Sequence, residues 1–201
     1  MEAVGRRVRS IAGIATVVSY FSSLSISWWV WHDGNPPVVM FLPLAANIIH
    51  LYAQLLNERG DDYDANSALV SALGLLLMGT NAAVYCTFSR VVGPGHVLVG
   101  TLYVMTTARL LGDKDTLRNV ASVSAVICNV LPIVRILTVP LPLVAASTLT
   151  SCGLWVAYGV LAKKAKVIMN NTVGAVVAAV ELGVPVWIWH YGFANLFAQS
   201  E

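Results

Sequence analysis

Asn171 stands three residues before Gly174, and Ser151 stands four residues before Trp155. On a helix, either spacing puts both members of the pair on one face. An amide side chain donates and accepts hydrogen bonds, a hydroxyl does the same, and an indole offers a broad apolar plate. Groups of this kind hold a small polar solute without making or breaking its bonds. The solute's hydroxyls meet the amide and the serine, and an apolar pyranose face stacks on the ring. Asn66, Asn81, Asn129 and Asn171 all fall in or at the start of long apolar runs. Backbone groups inside a helix are already paired, so each of these side chains needs a partner on another helix, in water or on a ligand. For Asn66 and Asn171, which open their runs, helix capping is a competing use.

Glu181 follows Asn171 on the same run, and at about 1.5 Å per residue it lies roughly 15 Å further along, near half a membrane thickness. An ionised carboxylate there is costly, so the group is neutral, paired or wet. It either couples solute movement to protons or serves as a protonated hydrogen-bonding group.

Other chemistry finds no support. No nucleophile has an adjacent base, no glycine-rich loop precedes a phosphate-binding helix, and HExxH is absent, so enzyme activity is not expected. Cys86, Cys128 and Cys152 sit in apolar segments without CxxC or paired-histidine spacing, so no metal or other cofactor is expected. His50 and His96 read as packing and hydrogen-bonding residues. A net charge of +2 without a dense basic tail offers nucleic acid no landing surface.

The elements that must position these residues are membrane helices. Of 201 residues, 57% are hydrophobic and 11% charged, and the mean hydropathy is +0.73, far from the balance of a soluble domain. A helix needs about 20 mainly apolar residues to cross hydrocarbon. Charges and prolines divide the chain into seven such stretches: Ile11 to Trp31, Val38 to Leu56, Asn66 to Phe88, Val91 to Leu111, Leu117 to Thr138, Leu141 to Leu161, and Val167 to His190. The first begins after Arg6, Arg7 and Arg9 but ends in SWWVWHDG without a small-residue cleavage site, so it reads as a retained span. Short connections make consecutive helices antiparallel neighbours. Trp28, Trp29, Trp31, Trp187 and Trp189 lie near span ends, as interface-belt residues do.

The outline repeats. Pro36, Pro37, Pro43, Tyr52 and Asn66 mark the first half, and Pro140, Pro142, Tyr158 and Asn171 mark the second. An odd helix between two triple-helix units returns the chain to its starting direction, so the units are parallel. The expected fold is all-α, a seven-transmembrane helix bundle of 3+1+3 layout. Residues 1–90 form the first triple-helix repeat, 91–112 the linker helix, and 113–201 the second repeat with a short tail.

The run CNVLPIVRILTVPLPLVAASTLTSCGLWVAYGVL, followed by VIMNNTVGAVVAAVEL, resembles the second repeat of the SWEET (MtN3/saliva) sugar transporters. The matching frame is Pro132, Pro142, Ser151, Trp155, Tyr158, Asn171 and Gly174, with Glu181 and Leu182 where the family has glutamine and leucine. In the first half Asn66 takes the family asparagine's place, but Leu69 replaces the glycine after it. Ile49 stands at the tryptophan's position relative to Tyr52, and Ser22 or Ser23 stands at the first-helix proline's. The resemblance implies passive, bidirectional transport of mono- or disaccharides in a bilayer. Asn171, Trp155, Ser151 and Asn66 would face a central cavity, and Pro132, Pro142, Pro37 and Pro43 would act as hinges. From the residues themselves, Pro132 permits bending, whereas Pro142 equally fits a mere helix start. A homo-oligomer is compatible with the family's habits.

Ten lysines and arginines fall on the side of the amino terminus, and only Arg90 and Arg135 on the other. The positive-inside rule therefore puts the amino terminus in the cytoplasm, opposite to the family's orientation. Plasma membrane and endomembrane both fit. Two further readings share the pattern: a related carrier of another small polar solute, with Glu181 coupling it to protons, and a receptor or assembly protein that keeps the fold without transport.

Overall fold

The computed structural model describes residues 2–33, 41–57, 65–88, 93–110, 113–135 and 141–187, all of them in helices or the turns between. The helices are α1 (Glu2–Ser22), α2 (Leu24–Asp33), α3 (Phe41–Asn57), α4 (Ala65–Phe88), α5 (Gly93–Leu110), α6 (Lys114–Val130), α7 (Pro142–Leu161) and α8 (Ala165–Trp187). A 3₁₀ turn, Leu131–Arg135, continues α6. No strand occurs among the described residues.

Five helical stretches are long and apolar enough to cross a membrane: Val4–His32, Ala65–Phe88, Asp115–Ile133, Pro142–Leu161 and Ala165–Val184. The chain is an integral membrane protein. Two of the seven expected spans fall outside that set: α3, with 17 residues, is shorter than the roughly 20 that a crossing needs, and α5 is less apolar, carrying Pro94, His96 and Arg109. The first span starts earlier than its hydropathy indicated, at Glu2, because Arg6, Arg7 and Arg9 are good helix formers that extend it beyond the apolar run. Pro36, Pro37, Pro140 and Trp189 lie outside the described residues.

Local chemistry sets several helix ends. Asp113 caps α6, accepting from the Thr116 backbone N–H at 2.6 Å and the Thr116 hydroxyl at 3.0 Å. Those bonds hold its carboxyl below the usual carboxylate range. Pro142 occupies the first turn of α7 after Leu141, where the missing N–H costs nothing. Pro43 is likewise in the first turn of α3. Pro132 falls where α6 gives way to the 3₁₀ turn.

The first span breaks at Ser23 without a proline. Ser22, Ser23 and Ser25 each donate their hydroxyl to the carbonyl three residues back, at 2.7, 2.6 and 2.7 Å. Such back-bonding competes with the helical ladder and bends it. From α4, Asn81 clasps the break: its Nδ2 donates to Ser23 Oγ at 2.8 Å, and Ser27 Oγ donates to its Oδ1.

Contacts between helices close a ring in the order α1, α4, α3, α6, α8, α7 and back to α1. Along this ring α4 lies between α1 and α3, and α8 between α6 and α7. The α5 helix packs chiefly on α3, outside the ring. Apolar packing concentrates in α2, α3 and α4, where Val30, Phe41 and Tyr85 are fully buried and the Phe41 and Tyr85 rings lie 5.1 Å apart.

Candidate functional site

Six of the eight helices, all but the short α2 and the outlying α5, supply most of the wall of one cavity of about 880 Å³; α2 adds only Ile26 and α5 adds nothing among the described residues. One end of the lining is polar and exposed. Asn66, Arg118 and Lys166 stand there, where α4, α6 and α8 begin. The opposite end reaches buried Ile26, Leu44, Val144 and Glu181. Beyond them in α2, α3 and α4 come Val30, Phe41 and Tyr85, none with any exposure.

All four residues expected to touch solute line this cavity. Asn171 is half-buried, and its Nδ2 donates to the Val167 carbonyl of its own helix at 2.8 Å. That leaves its second N–H and its carbonyl oxygen for other partners. Its neighbour Gly174 is where α8 meets the helices on either side. A Cβ there would lie 2.8 Å from Cys152 Sγ and 3.0 Å from Asn129 Oδ1. Asn129 also donates to the Asn170 carbonyl at 3.1 Å, tying α6 to α8.

Trp155 and Ser151 are held together from α1. The indole Nε1 donates to Thr16 Oγ1 at 2.8 Å, and Ser151 Oγ lies 2.8 Å from the same oxygen. Thr16 in turn donates to the Ala12 carbonyl at 2.8 Å, so the serine is the donor toward it and both of its lone pairs are used. The seam continues through Ser19 with Thr148 at 3.4 Å and Ser22 with Ser147 at 2.6 Å. The indole edge is thus committed to the protein, and Tyr158 packs against the indole in a T-shaped arrangement at 5.6 Å. Across the ring, His50 Nδ1 donates to the Ala121 carbonyl at 2.8 Å, joining α3 to α6.

Asn66 sits in the first turn of α4 and is exposed at the mouth. Deeper in α4, Gly74 makes the contacts that Gly174 makes in α8. A Cβ on it would meet Tyr20 of α1 at 2.5 Å and Leu51 of α3 at 3.0 Å. Counting three residues back from each glycine pairs Ser71 with Asn171, and counting seven forward pairs Asn81 with Glu181. Ser71, Asn81 and Glu181 are all buried, at 1%, 1% and 3% exposure. The spacing that pairs Tyr20 with Asn129 also pairs Arg9 with Arg118 and the Ser23 break with Pro132.

Sequence reasoning missed Thr16, Ser71 and Tyr20. Thr16, Ser19 and Ser22 recur every third residue in an apolar run, a legible polar stripe, and SALG at 71 to 74 parallels NTVG at 171 to 174. Trp28 and Trp31 are 61% and 63% exposed.

No protein-family model matches the chain, and no curated protein matches it. The fold is similar to that of a solved eukaryotic SWEET transporter, with a TM-score of 0.59 over 89% of this chain and 97% of that one, at 12% identity. The fold therefore defines a helical bundle of the architecture found in that transporter.

Proposed function

We propose that this protein carries a small polar solute, a mono- or disaccharide, across the membrane by alternating access. The observation that carries the reading is the cavity. It is framed by helices from both ends of the chain, polar at one mouth, and lined by Asn171 and Trp155. The ring order supports two triple-helix halves, with α1, α3 and α4 in one, α6, α7 and α8 in the other, and α5 as the linker. Rocking these halves at the α1–α7 and α3–α6 seams would move the opening from one side to the other. The Ser23 break and Pro132 stand at matched places where bending costs least.

In this reading Ser71, rather than the mouth residue Asn66, is the first-half counterpart of Asn171. The test is uptake of labelled glucose and sucrose into liposomes containing the purified protein. Saturable uptake that Asn171→Ala abolishes is the expected result. A folded wild-type chain that moves neither sugar would refute the reading.

Glu181 favours a second version of the same activity. Its carboxyl is buried on the cavity wall, and coupling to protons would make uptake depend on pH through this group. Transport by Glu181→Gln that tracks wild type across the pH range would leave passive movement as the mechanism.

A further inference from the structure

The phenol of Tyr20 is a cavity group that neither the seams nor the break makes use of. Its side chain is only 9% exposed. The ring lies over the backbone of Gly74, where a Cβ would sit 2.5 Å from Cε2 and 2.9 Å from Cζ. Because Cζ carries the hydroxyl, the outer end of the ring covers the glycine, and Tyr20 is among the residues that line the cavity. Cys128 of α6 and Cys152 of α7 line the same cavity from the other half. The phenol makes no hydrogen bond to the described residues, nor does the hydroxyl of Ser71, one turn from Gly74 and 1% exposed.

Both residues line the cavity, and a hydroxyl on a cavity wall exchanges a water for a solute hydroxyl at little cost. Phenylalanine and alanine would fill the same space with no polar group to offer. A solute hydroxyl entering the cavity can bond to either. The ring also provides aromatic surface in the half of the molecule where Ile49 stands at the expected tryptophan position.

We propose that Tyr20 is a substrate-contacting residue: its hydroxyl bonds a hydroxyl of the polyol that Asn171 holds from the opposite half, with Ser71 beside it. This rests on the transport reading. Gly74 is small so that the tyrosine can lie flat against α4 and reach the solute.

The test compares wild type, Tyr20→Phe, Ser71→Ala and Asn171→Ala in liposomes, using glucose and its singly deoxygenated analogues. Loss of one hydrogen bond is expected to raise KM about tenfold in Tyr20→Phe, with the maximal rate nearly unchanged. One deoxy-glucose should be bound equally well by wild type and Tyr20→Phe, since the hydroxyl that Tyr20 contacts is then already gone. A merely structural tyrosine would not single out one sugar position. Saturable uptake lost in Asn171→Ala, with KM unchanged in Tyr20→Phe for every analogue, would overturn the assignment of Tyr20 alone. Absence of saturable uptake by wild type would overturn the transport reading and this inference with it.

Discussion

Trp155 Nε1 donates to Thr16 Oγ1 at 2.8 Å, and the bond joins α7, near the end of the chain, to α1, near its beginning. Because Ser151 meets the same oxygen at 2.8 Å, one threonine fixes the two residues singled out by their spacing on α7. The indole plane is therefore set by a side chain 139 positions away.

Replacing Thr16 by valine keeps the shape and removes the acceptor. The indole N–H and the Ser151 hydroxyl then lose their shared partner, which should lower stability by about 1–3 kcal/mol. Thermal unfolding of the purified protein in detergent checks the stability. Sugar uptake should fall as well, since the plate is no longer held, and Thr16→Ser should retain most of both.

Gly174→Ala should be poorly tolerated. The added methyl would lie 2.8 Å from Cys152 Sγ and 3.0 Å from Asn129, and it can retreat from neither without moving α8. Overpacking of this sort costs about 1–3 kcal/mol. Combining it with Cys152→Ala removes the nearer obstacle and should recover part of the loss, which a double-mutant comparison of unfolding midpoints would register.

The helices, their order along the chain and the close packing at Gly174 were legible because hydropathy and i, i+3, i+4 spacing are local signals. The first-half lining was less so. Asn66 lines the cavity, but from the exposed first turn of α4. The residue at the offset of Asn171, three before a close-packed glycine, is Ser71, recognisable only through what presses on Gly74. The bend near Ser23 was masked for a similar reason. Proline announces a break by itself, whereas three serines make one only when their hydroxyls turn back on the helix and Asn81 holds the result.

Asn81→Leu tests that clasp. The side chain is 1% exposed and bonded to both Ser23 and Ser27, so its loss takes the acceptor from the Ser27 hydroxyl and the donor from Ser23, which keeps its bond to the Tyr20 carbonyl. A destabilisation of about 2–3 kcal/mol is expected. Asn81→Asp, which still accepts from Ser27, should lie between wild type and leucine at a pH where the acid is neutral.

The turn between α7 and α8 carries the single non-glycine residue with positive φ among the described residues, Lys163 at 53°. Its neighbours close the turn through Lys164 N–H to the Gly159 carbonyl at 2.8 Å, so the conformation is imposed by the helix ending. Left-handed backbone costs a side-chain-bearing residue about 1 kcal/mol or more. Lys163→Gly should therefore raise stability by about 0.5–1 kcal/mol, after allowing for the entropy of a more flexible unfolded chain. An upward shift of the unfolding midpoint, without change in transport, is the expected reading.

The place of α5, outside the ring and without a residue on the cavity wall, makes it a matter of wiring. In the proposed two-half arrangement its work is to return the chain so that α6 runs in the same sense as α1. The halves would then hold to each other through the α1–α7 and α3–α6 seams rather than through α5. They would be coupled by their surfaces and only tethered by their sequence.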